Sequence, residues 1–357
     1  MSQAILNTIE MLDKEAAQLI QSLEDAQAAE AIALLEAKTQ AEEVAALQKR
    51  MKRYGKTPGT YIPTRDDVGL IDPSVLIDVN TNMTYNGAFG VIEIRDRRFL
   101  GYVYIRTRWI KFINCLFLGP INPTMETVQC RYAEAMDIVF EDCEWKPRSI
   151  NDKCGNVNGQ GYTIVRGWLH NGVDGLTACP ADGLADANVT LIATLVEDMA
   201  YFKPSTTHSD GQTHNDGVII IGGNVKIHGC NIRGNIDPAI SVGFTVGVHS
   251  YYPNPIAMSA VMFNQRSLNG YLQQPSKVVI CNSSFEGGVV CFNMLGVPTA
   301  FATPDGSLIE NNRFKNNQAT GTGGRIIACQ KLKQQALVIK NNYSELGVLL
   351  ITPRVDV

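Results

Sequence analysis

No apolar run in this 357-residue chain approaches the ~20 residues a helix needs to cross a bilayer, so no membrane span is expected. Positive charge is not in excess. There are 31 Lys and Arg against 35 Asp and Glu, giving a net charge of −4 and a pI near 5.8, which excludes an electrostatic footprint for nucleic acid. The amino terminus, Met1-Ser2-Gln3-Ala4-Ile5, lacks the basic start and apolar core of a signal peptide, which predicts assembly in a cytoplasm. The nine cysteines include no Cys-x-x-Cys pair, so zinc is not expected; their odd number and the missing export signal argue against disulfides. Charged residues make up only 18% of the chain and hydrophobic ones 45%, enough for a long continuous core.

From about residue 90 to 345 helical periodicity is missing too, which excludes arrays of helix pairs. The segment 110–117 instead recurs seven more times, with copies ending at Phe117, Trp145, Leu169, Val196, Ile232, Phe285, Phe314 and Ser344. Spacings are 28, 24, 27, 36, 53, 29 and 30 residues. Apolar residues two apart precede each end, as in Ile110 and Phe112, the mark of a strand with one buried face. Asn114, Asp142, Asn282, Asn311 and Asn341 share the next slot, as an asparagine ladder at a turn requires. Cys115, Cys143 and Cys230 share the slot after it and are expected to be a stack of buried, reduced thiols. Three short strands and three turns fit one period, which is one rung of a parallel β-solenoid. The Leu-x-x-Leu-x-Leu pattern of a leucine-rich horseshoe is missing, and the period is too short for a propeller blade.

The string Thr213-His214-Asn215-Asp216-Gly217-Val218-Ile219-Ile220-Ile221-Gly222-Gly223 is similar to the His-x-Asp-Gly-Val/Ile-x-Ile-x-Gly-Gly rung of the pectate-lyase-like superfamily. Over about residues 90–345 the repeat resembles that superfamily's fold. The resemblance implies an all-β chain, a right-handed parallel β-helix solenoid. It also admits polysaccharide chemistry, because lyases of the superfamily use Arg or Lys as base and hydrolases use Asp pairs. The hydrolase signature, a Gly-His-Gly and an Arg-x-Lys on following rungs, is absent; the nearest strings are Ile227-His228-Gly229 and Asn231-Ile232-Arg233.

Residues 1–52 contain no Pro or Gly and are rich in helix formers. Ile5, Leu12, Leu19, Ala26, Ala33, Gln40 and Leu47 form one heptad row, and Ile9, Ala16, Leu23, Glu30, Ala37, Val44 and Met51 the other. This predicts an α-helical coiled-coil stalk over 1–54. The plainer alternative is a single amphipathic helix lying on another protein. Residues 55–90 read as a linker and irregular cap, and 91–357 as the β-helix. A helical stalk ahead of a β-helix resembles the layout of bacteriophage tail spikes and minor tail proteins. That resemblance implies a homotrimer located in the virion, contacts with other tail proteins through 1–54, and host cell-surface polysaccharide as ligand.

The intervals 196→232 and 232→285 carry extra residues, and insertions on a rigid solenoid are where function concentrates. In the first, Asp210, Asp216, His214 and Lys203 are candidate catalytic groups, while His208, Gln212 and Arg233 are candidate glycan contacts. Arg233 is also a candidate base, and Asp198 a candidate acid or calcium ligand. No cofactor is required, though these carboxylates admit a Ca²⁺ ion. A site made by His208, Asp210, His214 and Asp216 together is not expected, since four ligands on one loop rarely converge. In the second, Tyr251 and Tyr252 offer faces for sugar stacking. The plainer alternative is that Asp-Gly is turn chemistry and braces strand ends. The 53-residue interval reads as one irregular rung plus a loop, against a hidden second rung. Three functions stay open: glycan attachment by a virion protein, an active polysaccharide lyase or hydrolase, and a purely structural virion part.

Overall fold

Alternating side chains build the walls of this protein. In Ile110–Ile113 the residues Ile110 and Phe112 are buried while Lys111 between them is half-exposed. The computed structural model describes residues 62–69, 71–87, 91–237, 239–243, 259–268, 270–287, 290–294, 297, 305–316, 327–329, 337–344, 349–350 and 354–356. The coiled coil expected over 1–54 lies outside them, as do Tyr251 and Tyr252. The chain divides into two units, Met1–Pro58 and Gly59–Val357, and the described residues all belong to the second.

No helix occurs among the described residues. The strands stack in three long sheets of eleven, ten and nine members, and each turn of the chain visits all three. One turn runs from Ile110–Ile113 in the third sheet through Leu116–Phe117 in the first and Val128–Cys130 in the second to Ile138–Glu141. Pairing within these sheets is parallel, except that Leu349–Leu350 closes the first sheet antiparallel. This is a parallel β-helix. The repeat ends read from sequence are neighbours in register: Phe117↔Trp145↔Leu169↔Val196↔Ile232↔Phe285↔Phe314↔Ser344.

Like residues stack inside. Phe99, Phe117 and Trp145 pile face to face at 5.0 Å between successive rings, and Phe112 lies on Phe140 at 5.1 Å. The slot shared by Asn114, Asp142, Asn282, Asn311 and Asn341 is left-handed throughout, with φ of 52° to 55°. Asparagine and aspartate tolerate that conformation better than other residues with a side chain. There the backbone N–H turns to the next rung: Asn114 donates to the Glu141 carbonyl at 3.1 Å and Asp142 to that of Val165 at 3.0 Å. A buried side-chain ladder occupies the following slot. Asn312 Nδ2 donates to Asn342 Oδ1 at 3.1 Å and to the Ile280 carbonyl at 3.0 Å. Cys115, Cys143 and Cys230 are buried and free in the same slot.

The interval 232→285 is one rung, because Gly223–His228 pairs directly with Val279–Cys281 and Asn231–Arg233 with Ser284–Gly287. Its surplus includes an antiparallel hairpin, Arg266–Leu268 with Tyr271–Gln273. The amino-terminal boundary needs correction. Ile77–Val79 and Met83–Asn86 already pair with Arg97–Phe99 and Val103–Arg106, so the β-helix starts at Ile77 rather than at 91. Val79, Met83 and Tyr85 supply the inward-facing alternation that the polar stretch around them hides. Residues 62–69 form a strap on the outside of the first sheet. The Pro63 carbonyl accepts from Asn231 Nδ2 at 3.0 Å, Arg65 pairs with Glu197 at 2.6 Å and Asp198 at 2.5 Å, and Gly69 donates to the Arg166 carbonyl.

Candidate functional site on the second sheet

Outward-facing residues of a sheet ordinarily meet water. On the second sheet four of them are largely covered, whereas Tyr104 and Ile219 on the same line are half-buried. Gln129, Asn158, Thr177 and Met262 are 5%, 7%, 9% and 5% exposed, although Val128, Cys130 and Val157 beside them point into the core. Register puts Gln129, Asn158, Thr177, Ile219 and Met262 on one line across five rungs, polar at one end and apolar at the other. Side chains packed on a rigid sheet are held in fixed geometry.

One edge of this row is acidic. Two residues ahead of each strand pairing, the same register aligns Glu126, Gly155, Asp174, Asp216 and Ser259. Gly155 is needed there, since a Cβ would meet Glu126 Cγ at 2.6 Å; its absence lets the Glu126 side chain cross the rung. The Glu126 carboxylate accepts from Gln129 Nε2 at 2.8 Å and Asn158 Nδ2 at 2.7 Å. Asp174 Oδ1 accepts the Asp216 backbone N–H at 3.0 Å, and Asp216 Oδ1 accepts the N–H of Ser259 at 2.9 Å and its hydroxyl. Burial, then the charges of Asp216 and Glu126, push the Asp174 carboxyl well above the usual range. Burial also pushes Asp216 up to about 6, against the opposing bonds from Ser259 and the charge of His214. The edge therefore carries two carboxyls, Asp174 and Asp216, whose hold on a proton is raised by burial, and groups of that kind are candidates for general acid work.

The residues expected from sequence divide. Asp210 and His214 meet on the loop, with Asp210 Oδ2 and His214 Nε2 at 2.7 Å, and the His208 ring stacks on His214 at 4.5 Å. Burial works to raise Asp210, but bonds from His214 and Gln212 hold it below the usual range; burial and then His214 lower His208. Gln212 also accepts from the Tyr201 hydroxyl at 3.0 Å. Asp152 moors this loop by accepting from the Thr206 N–H and hydroxyl at 2.6 and 2.8 Å. Asp216, a candidate catalytic group, is by contrast 2% exposed, and its carboxylate accepts from Ser259 of the next rung. Lys203 is exposed, and its backbone N–H donates to the Val242 carbonyl. Arg233 lies on the first sheet, clamped by Glu197 at 2.8 Å and Glu286 at 3.1 Å, and shares no surface with the enclosed row as a base or glycan contact. Asp198 is taken up by Arg65 and Asn235. Among the described residues no three His, Cys, Asp or Glu side chains are grouped to hold a metal ion.

Glu126, Asn158 and Asp174 escape a sequence reading aligned on the first sheet. The available signal was Val173-Asp174-Gly175-Leu176 against Asn215-Asp216-Gly217-Val218, the same turn one rung apart.

No protein-family model and no curated protein matches this chain. Among solved structures, a likeness is found to trypsin-treated QnrB1, a plasmid-mediated fluoroquinolone resistance protein. It has 8% identity over 78% of this chain and 98% of that one, with a TM-score of 0.20, and carries no argument about function.

Proposed function

We propose that this chain is a glycan-binding β-helix of a virion: a right-handed solenoid carried on a coiled coil over residues 1–54 that joins three copies, docks on other tail proteins and attaches to host surface polysaccharide. The enclosed polar row Gln129–Asn158–Thr177 carries the glycan reading, because sugars are recognised by fixed hydrogen-bonding groups on a rigid floor. The heptad rows of residues 1–54 support the assembly. A second reading, hydrolysis of the bound glycan, is favoured by the edge on which Glu126 and Asp174 stand two rungs apart, with the Asp174 carboxyl held above the usual range by burial. Full-length chain mixed with host envelope polysaccharide tests all three statements. Sedimentation should give three subunits of 39.1 kDa. Thr177→Arg, which fills the row, should abolish polysaccharide binding while the circular dichroism stays the same. Undiminished binding by that variant, or a monomer at micromolar concentration, refutes the corresponding part. Release of oligosaccharides decides for hydrolysis.

A further inference from the structure

The loop over residues 203–214 is closed at its base. Thr213 donates its N–H to the Phe202 carbonyl at 3.0 Å, Phe202 donates its own to Thr213 Oγ1 at 2.9 Å, and the Tyr201 hydroxyl reaches Gln212 Oε1 at 3.0 Å. Buried Asn215 fixes the chain as it returns to the β-helix, donating to the Val173 and Ala200 carbonyls at 2.8 and 2.6 Å. The tip has a different hold. The Ser205 hydroxyl donates to the Asp152 carboxylate at 3.2 Å, beside the two bonds from Thr206. Thr207 Oγ1 stands 3.3 Å from the Asp152 carbonyl and 2.9 Å from His208 Nδ1. A hydroxyl has one hydrogen to give, so mooring and imidazole compete for it, and a proton on Nδ1 would ask Thr207 to accept instead.

Both histidines of the loop stand in one place. Their rings stack with centroids 4.5 Å apart, and His214 Nε2 lies 2.7 Å from Asp210 Oδ2. One positive charge on this pair has a carboxylate beside it. A second would fall on the His208 ring, against the first, with only a hydroxyl as partner. The charged groups around the pair are Asp210 and Asp152; Lys153 acts on Asp152, and His214 also faces the buried Asp216. We propose that residues 203–211 form an acid-released latch: the tip lies on Asp152 at neutral pH and comes off it when acid protonates His208. Burial, then His214, hold His208 below its ordinary range, while Asp210 and Asp152 pull the other way. The moored loop therefore refuses a proton that the released loop accepts. The latch is at full strength above about pH 6.5 and weakens by up to about tenfold for each unit below it, until the moored form takes the proton as well. Neither carboxylate drives the change. Burial works to raise Asp152 and Asp210, but bonds from Thr206 on the one and His214 on the other hold both below the usual range. The latch is independent of the glycan reading and acts whatever the second sheet binds.

Millisecond hydrogen–deuterium exchange on the full-length chain, corrected for the intrinsic pH dependence of amide exchange, tests this. Ser205, Thr206 and Gly211 donate their N–H groups to the Gly211 carbonyl, Asp152 and the His208 carbonyl. Their protection should fall about tenfold between about pH 7.5 and about pH 5.5. Phe202 and Thr213 at the base should not change, which separates release of the tip from unfolding of the rung. His208→Gln keeps an acceptor for Thr207 and cannot take the proton, so it should hold the tip at both pH values. Should glutamine loosen the tip at about pH 7.5 by itself, His208→Phe takes its place, since it keeps a stacked ring without a titrating nitrogen. Constant protection in the parent would overturn the latch, as would a tenfold fall that persists in the variant. A tip already loose at about pH 7.5 in both variants would overturn it too, because loss of the imidazole rather than its protonation would then control the mooring.

Discussion

Asn311 and Asn312 are neighbours of the same type that hold the β-helix together by different physics, so replacing each with leucine should give different results. Asn312 is fully buried. Its Oδ1 accepts the Ser283 N–H at 3.0 Å, and its Nδ2 serves the Ile280 carbonyl at 3.0 Å and Asn342 Oδ1 at 3.1 Å. Leucine would fill a similar volume but orphan at least the Ser283 and Ile280 groups. At about 1–3 kcal/mol for each buried unpaired group, Asn312→Leu should cost about 2–6 kcal/mol. Asn311 has φ 55°. Leucine there keeps the backbone bonds and meets only the left-handed conformation, at about 1–2 kcal/mol, and Asn311→Gly should cost less still. Stability in a stacked array is local and passed between neighbours, so a global melting curve would blur the comparison. Hydrogen–deuterium exchange resolves it. Protection of strands Val279–Cys281 and Leu308–Glu310 should fall by about 30-fold or more for Asn312→Leu and by about 5- to 30-fold for Asn311→Leu, with tenfold per 1.4 kcal/mol. Equal losses in the two leucine variants would refute the distinction between a hydrogen-bonded inner slot and a conformational outer one.

Buried ionisable groups give two more outcomes. Burial lifts Asp216 from 3.8 to about 6, so the folded state holds its proton more tightly than the unfolded chain. The stability this contributes is complete below about pH 4 and lost as pH rises through about 6, about 3 kcal/mol in all. Asp216→Asn keeps an acceptor for Ser259 without the charge, so its stability relative to the parent should climb between pH 4 and 7; a difference that stays flat in denaturant titrations at several pH values would contradict this. Burial also pushes the thiols of Cys143 and Cys230 up, the latter to about 12. Mass spectrometry of native protein alkylated without reduction should find Cys115, Cys143 and Cys230 unpaired, with Cys143 and Cys230 slow to react, and a Cys115–Cys143 bridge would overturn the assignment.

The first sheet was legible in the sequence because its strands follow a turn with narrow backbone requirements. The left-handed slot admits few residue types, and Asn114, Asp142, Asn282, Asn311 and Asn341 advertise it. Where that slot is filled by Arg166 or Ala193, the repeat had to be carried by the apolar residues alone. The hydrogen-bonded ladder was read one position early, since composition does not say which of Asn311 and Asn312 points inward. The candidate site was legible only in part. Loops of changing length separate the first sheet from the second, so the column Glu126, Gly155, Asp174, Asp216 has no constant spacing and emerges only from register. Asp210 and His214 did meet on their loop, because four residues of a tight excursion suffice to bring them together.

The strap over residues 62–69 changes how this stack carries load. A solenoid whose rungs touch only their neighbours peels from its end, one rung at a time, when the terminal strand is pulled. Here tension arriving at residue 62 does not reach Ile77–Val79 first. It enters beside Asn231–Arg233, through the Asn231 side chain on the Pro63 carbonyl, and is shared with Glu197 and Asp198 by Arg65 before Gly69 passes it to Arg166. These links run across several rungs and are loaded in shear together. The first rung is thereby shielded from the pull.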